Sequence, residues 1–288
     1  MKGGIVALVG RPNVGKSTLL NQIMQQKVSI TSPKPQTTRR LIQAAYHDDK
    51  GQIIFTDTPG IFAKVEDRVS ATINKLATGW TESVDLVLYM IDKTRARGPE
   101  ENRILGIVRQ VNTPKILVYN KIDIKQPDYR YQYKVYESEF DDVVEISALH
   151  GTHIKTLIDK IYNFLPELDQ PLFDPNNLSP SRLLNINSRM FLADLIREKI
   201  FLHFRQEVPY MTGVEVDQID DRPDLLYVKA TIYVLDPKYK GVIIGKKGEG
   251  IKHIGTQVRK ELELIARKKV YVDLNVQVDK HWPERLLI

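Results

Sequence analysis

Cysteine is absent from the 288-residue sequence. Disulfides, thiolate metal sites and cysteine nucleophiles are thereby excluded, and the composition suits a reducing cytoplasm. Apolar runs long enough to cross a bilayer are lacking too. Stretches such as IVALVG and DLVLYMID fall far short of the roughly 20 residues a spanning helix needs. The opening MKGGIVALVG has neither an apolar region of signal-peptide length nor a small-residue cleavage site, so it reads as a first strand. Glycine numbers only 16, yet four of these fall within GVIIGKKGEG at 241–250, far from the other glycine-bearing loop, GRPNVGKS at 10–17.

Hydrophobic residues make up 42% of the chain and charged residues 27%, values of a globular protein long enough for two cores. The net charge of +6 is unevenly placed: residues 238–270 hold ten Lys or Arg against three carboxylates. A local cationic block of this kind points to a polyanionic partner.

Along the first half, strand-like segments (5–10, 52–60, 85–92, 115–121, 143–148) alternate with helix-like ones (16–25, 102–111, 154–165). That alternation predicts an α/β fold with a mainly parallel sheet covered on both faces. The segment 166–180 holds four of the 15 prolines and reads as a linker or extended crossover. Beyond it the order is helix (188–204), a hairpin (214–235) turning at DDRPD, two helices flanking GKKG, and a strand (270–278). This α-β-β-α-α-β order predicts a smaller α+β domain. The expected domains are 1–166 and 183–288, joined by a linker at 167–182.

GRPNVGKS fits G-x-x-x-x-G-K-[ST], after a predicted strand and opening a predicted helix, the context that gives this motif its meaning. The candidate phosphate cradle is Gly10, Arg11, Pro12, Asn13, Val14, Gly15, Lys16, Ser17 and Thr18. Backbone amides and a helix N-terminus there wrap phosphates. Lys16 would reach the β- and γ-phosphates, and Ser17 would give its hydroxyl to Mg²⁺. NKID follows a later strand. Asp123, with Asn120 and Lys121 before it, can accept two hydrogen bonds from the guanine edge that adenine cannot offer. Ser147, Ala148 and Leu149 follow the next strand, and the Ala148 N–H could donate to guanine O6. In DTPG, Asp57 would hold Mg²⁺, Thr58 and Pro59 follow it, and the Gly60 N–H would meet the γ-phosphate. In QTTRR at 36–40, Thr38 is favoured over Thr37 as the residue that lays a hydroxyl on Mg²⁺ while the γ-phosphate is present. The metal candidates are thus Ser17, Thr38 and Asp57. The candidates for assisting phosphoryl transfer are Lys16, Thr38, Gly60 and Asn13.

These five elements, in this order, resemble the translation-factor-related class of GTPases over residues 5–165. The residue after DTPG is Ile61, where Ras-like enzymes place a water-orienting Gln. A G domain that binds nucleotide but turns it over weakly or not at all therefore stays open as a second reading. Some GTPases of this resemblance use an Asn at the place of Asn13 to hold a potassium ion in place of an arginine finger. K⁺ joins GTP/GDP and Mg²⁺ among the expected cofactors.

The second glycine stretch, GKKG between two helices, matches the G-x-x-G loop with which a KH fold clamps the backbone of single-stranded RNA. The candidate RNA-binding residues are Ile244, Gly245, Lys246, Lys247, Gly248 and Lys252. Taken together, the two halves resemble the Era family, GTPases with a C-terminal type II KH domain. REKIFLHFRQEVPY (197–210) and VIIGKKGEGIKHIGTQVRKEL (242–262) carry that resemblance. It implies a factor in small ribosomal subunit assembly that binds the 3′ end of small-subunit ribosomal RNA; a cytoplasmic setting is expected from the absence of cysteine, and a monomer because the sequence carries no strong sign of oligomerisation. It also implies peripheral contact with the inner face of the cell membrane. The tail HWPERLLI departs from the family pattern, being shorter and more apolar.

Overall fold

The computed structural model describes residues 1–31, Lys34, Arg39, 41–59, 84–177 and 187–286. They form two compact units.

The first unit is built on a six-stranded sheet of β1 (Lys2–Val9), β2 (Ile42–Asp48), β3 (Gly51–Asp57), β4 (Leu86–Asp92), β5 (Lys115–Asn120) and β6 (Asp142–Glu145). Their order is β2-β3-β1-β4-β5-β6. Every neighbouring pair is parallel except β2 with β3, which is antiparallel. All seven residues of β4 are buried, as a strand covered on both faces requires. Among the described residues three helices accompany the sheet: α1 (Lys16–Met24), α2 (Pro99–Gln110) and α3 (Ile154–Phe164). The α3 side chains Leu157, Ile158, Ile161 and Tyr162 are buried, the three-and-four spacing of one helical face.

β1 pairs with β3 on one side and β4 on the other. The strand order reverses there, and in open parallel sheets ligands bind beyond the carboxyl ends of the strands at such a point. Val9, Asp57, Asp92 and Asn120 all end their strands at that edge. After α3 the chain is tied to the same unit. Gly3 N donates to Pro166 O (3.0 Å), Leu168 N to Met1 O (2.8 Å), and the Gln52 amide brackets 172–173 through Leu172 N (2.7 Å) and Phe173 O (2.9 Å). The first part of the expected linker is therefore packed against this unit.

The second unit follows the expected α-β-β-α-α-β order and adds one short helix. Its elements are α4 (Ser188–His203), β7 (Thr212–Asp221), β8 (Leu225–Val234), α5 (Pro237–Ile244), α6 (Glu249–Ala266), β9 (Lys269–Val278) and α7 (Trp282–Leu286). β7 and β8 are antiparallel, and β8 and β9 are parallel. Alternate β8 residues Val228, Ala230, Ile232 and Val234 form one core with Leu195, Ile196 and Ile200 of α4, Ile243 of α5, and Ile254 and Val258 of α6. The Asn187 side chain caps α4 by accepting from Met190 N at 3.0 Å. Trp282 of α7 is fully buried, and a Cβ placed on Gly213 of β7 would lie 2.5 Å from its ring. Glycine is what lets α7 seat against this strand. Among the described residues no helix is long and apolar enough to cross a membrane.

Candidate functional site

The first glycine loop leaves β1 at Val9 and enters α1 at Lys16. Asn13 and Gly15 take left-handed φ values of 65° and 104°. Such turns let successive N–H groups converge on an anion. At Gly15 an added Cβ would also meet Asn120 Nδ2 at 2.2 Å, so no other residue fits. The Lys16 ammonium donates back to Gly10 O (2.9 Å) and Arg11 O (3.1 Å). Burial lowers its pKa to about 8, against the opposing pull of Asp57 and Glu101. An ammonium held this way is poised to exchange loop carbonyls for phosphate oxygens. Pro12 and Val14 are buried, and Thr18 is half-buried in the first turn of α1.

Asp57, at the end of β3, is fully buried. Its Oδ2 accepts from the hydroxyls of Ser17 (2.6 Å) and Ser29 (2.8 Å). Its Oδ1 is buried and has no hydrogen-bond partner among the described residues. Burial pushes this carboxyl above its usual range, with Lys16, Ser17 and Ser29 opposing. A buried carboxylate oxygen without a donor, beside a serine hydroxyl at a phosphate loop, is a donor set that fits a hard divalent cation. Ser17 and Asp57 would hold Mg²⁺ here, and the ion would supply charge neutralisation at the phosphates. Thr38 and Gly60, like Ile61, lie outside the described residues.

The base-recognition motifs converge on the same edge. Asn120 Nδ2 donates to Val14 O at 2.7 Å, and its Oδ1 accepts from Ala148 N at 2.9 Å. The Ala148 amide expected to face guanine O6 is thus engaged by Asn120 in this structure. Lys121 Nζ contacts Asn13 O (3.1 Å) and Asp92 Oδ2 (2.6 Å). Asp123 Oδ1 accepts from the Ser147 hydroxyl at 2.6 Å, which fixes the carboxylate that would read guanine. The Leu149 side chain is exposed at the rim.

Two expected site residues direct their side chains elsewhere. Arg11 is buried, with Nε 2.5 Å from Glu101 Oε2. Thr58 Oγ1 donates to Leu8 O at 2.7 Å. Each can serve a nucleotide only through its backbone. Ser29 and Glu101 were not legible as site residues, because neither stands in a local motif and the fold alone brings them in.

In the second unit, α5 ends at Ile244 and α6 begins at Glu249. The intervening turn has left-handed φ at Gly245 (72°), Lys247 (52°) and Gly248 (80°). At Gly245 a Cβ would approach Gly250 N to 2.8 Å, so the helix ends meet closely only because glycine is there. Ile244 is partly buried, whereas Lys246, Lys247 and Lys252 are exposed and form no ion pair among the described residues. Elsewhere in the basic block Lys268 is paired with Asp221. Three exposed cations therefore stand at or beside the turn, where they can meet a phosphodiester backbone.

Comparison with known proteins matches these two sites. Residues 5–121 match a family model described as 50S ribosome-binding GTPase, and residues 207–283 match one described as KH domain. The chain is 42% identical over 290 residues to the GTPase Era of Thermotoga maritima, covering 99% of this chain and 94% of that one. It is 40% identical over 287 residues to the GTPase Era of Clostridioides difficile, covering 98% and 94%. The chain belongs to the Era family of GTPases. Era membership makes it a GTP hydrolase, against the reading of a G domain that does not turn nucleotide over. Two solved Era structures share its fold. One is a Tyr-to-Ala variant of Aquifex aeolicus Era bound to GDP and AlF₄⁻, with TM-score 0.89, 38% identity and coverage of 99% and 96%. The other is Era in complex with MgGDPNP and nucleotides 1506–1542 of 16S ribosomal RNA, with the same TM-score, identity and coverage.

Proposed function

We propose that this GTPase binds GTP and GDP with Mg²⁺ at the first loop and single-stranded RNA at GKKG, and that its RNA is the 3′ end of small-subunit ribosomal RNA. It would act in small ribosomal subunit assembly. The observation that carries the reading is the presence of two unlike anion cradles in one chain. One holds a buried lysine and a carboxylate oxygen without a donor among the described residues, at a sheet edge. The other is a left-handed glycine turn bearing exposed lysines. The relative solved with both MgGDPNP and a 16S fragment supports assigning the two ligands in this way.

In the proposed reaction Lys16 and the loop amides would hold the β- and γ-phosphates, and Ser17, Asp57 and Thr38 would hold a magnesium ion that neutralises charge on those phosphates. The Gly60 amide meets the γ-phosphate, while Asn120, Asp123 and the 147–149 loop select guanine. Water attacks the γ-phosphorus in line and GDP leaves. In place of a glutamine at Ile61, Asn13 would hold a K⁺ ion that stabilises charge on the leaving oxygen. Peripheral membrane contact rests on the family resemblance, the cytoplasmic setting on the absence of cysteine, and the monomeric state on the sequence's lack of a strong oligomerisation signal. The reading is tested by multiple-turnover phosphate release with GTP and with ATP, in potassium and in sodium buffers. GTP-specific turnover stimulated by potassium is expected. Equal rates in both salts would remove the Asn13 role, and equal use of ATP would remove the base assignment.

A further inference from the structure

The geometry points to Glu101 as a positioning residue for the phosphate loop, acting through Arg11. The inference rests on the reading that loop 10–17 holds the β-phosphate of a guanine nucleotide.

Glu101 sits in the first turn of α2 and is fully buried. A carboxylate there is costly unless every lone pair is used. Its Oε1 accepts the Tyr89 hydroxyl at 2.6 Å, and the Tyr133 hydroxyl lies 3.4 Å from Oε2. β4 and the β5–β6 connection thus fix the carboxylate before it meets the loop. Its charged partner is Arg11, whose Nε is 2.5 Å from Oε2. Arg11 is itself buried, so its guanidinium cannot reach a nucleotide phosphate.

What the pair does follows from the loop carbonyls. Arg11 Nη1 donates to Ala96 O at 3.1 Å, and Arg95 Nη1 donates back to Pro12 O at 3.1 Å. The next two carbonyls are taken by Lys121 Nζ on Asn13 O (3.1 Å) and Asn120 Nδ2 on Val14 O (2.7 Å). Three consecutive carbonyls of the loop are therefore drawn off by side chains from outside it. In a nest of this type, carbonyls held away leave the amides converging on the anion. The guanine-reading motif supplies the last two of these anchors. The first depends on the segment 95–96 staying stitched to residues 11–12, and the Arg11–Glu101 pair is what pins that seam.

The test measures equilibrium dissociation constants of GDP and GMP for the full-length chain. The loop's hold on the β-phosphate is read as the ratio of the two. Glu101→Gln keeps the side-chain shape and removes the charge. A misplaced loop weakens GDP about tenfold or more, with GMP within about twofold. A role in folding alone would lower thermal stability and leave the ratio unchanged. The double variant Arg11→Met with Glu101→Gln removes both charges, so no buried charge is left unpaired. It should regain stability relative to the single variant while the ratio stays low, and it gives the same readout if the single variant does not fold. A wild-type ratio in folded Glu101→Gln, or in the double variant, overturns the inference. A wild-type protein that does not prefer GDP to GMP overturns instead the reading of the loop.

Discussion

The Ser17 hydroxyl donates to Asp57 Oδ2 at 2.6 Å across 40 residues of sequence. The contact joins the first turn of α1 to the end of β3, and it leaves Asp57 Oδ1 buried without a donor among the described residues. Asp57→Asn replaces the carboxylate by an amide and removes the charge that favours a divalent ion. The variant should bind GTP with the same affinity in Mg²⁺ as in EDTA, and its kcat should fall by about 100-fold or more. Nucleotide titration and phosphate release check this. A variant that kept full magnesium dependence would place the metal elsewhere.

Lys16 makes a pH prediction. Burial holds its pKa near 8 in the nucleotide-free protein, and a triphosphate raises it by supplying opposite charge. Below pH 8 both free and bound forms carry the proton, and affinity is flat. Above pH 8 the free form loses the proton while the bound form keeps it. GTP affinity should therefore fall as pH rises through 8, with uptake of up to about one proton per site. Calorimetry in buffers of different ionisation enthalpy measures that uptake at pH 8.5. Zero uptake, or proton release, would contradict the assignment.

In the second unit, Gly213 and the Trp282 ring are in direct contact. Gly213→Ala forces the buried indole to shift, at a cost of about 1–3 kcal/mol. A scanning calorimeter should show the second unit's transition lowered and GTP binding by the first unit unchanged. An unaltered transition would mean that α7 is not seated on β7.

Much of the nucleotide site could be read from sequence because its chemistry is local: the loop at 10–17, the carboxylate at Asp57 and NKID each occupy a few consecutive residues. The strands that position them were legible where they are buried on both faces, as in DLVLYMID. β2 was missed. Its burial runs buried, half, buried, buried, half, half, exposed, which matches neither a period of two nor a continuous apolar run. α2 begins at Pro99 after Gly98, three residues before the apolar spacing of NRILG begins, because proline at a first helical position is itself a start signal. Glu101 was passed over for the same reason: an acid in a first turn reads as a solvated helix start, and only the approach of Tyr89 and Arg11 shows it to be buried. The α7 seat depends on Gly213 meeting Trp282 across 69 residues, a pairing no local pattern carries.

The account stands most directly on the independence of the two anion cradles. GTP and a single-stranded RNA of the small-subunit 3′ terminus are titrated against three preparations: the unaltered chain, Lys16→Ala, and Lys246→Asp with Lys247→Asp. Both lysines of the pair are exposed, so their replacement leaves the core untouched. The expected result is that the unaltered chain binds both ligands. Lys16→Ala should lose GTP and keep RNA, and the double variant should keep GTP and lose RNA. Undiminished RNA affinity in the double variant, or an unaltered chain that binds only one of the two ligands, would contradict the account.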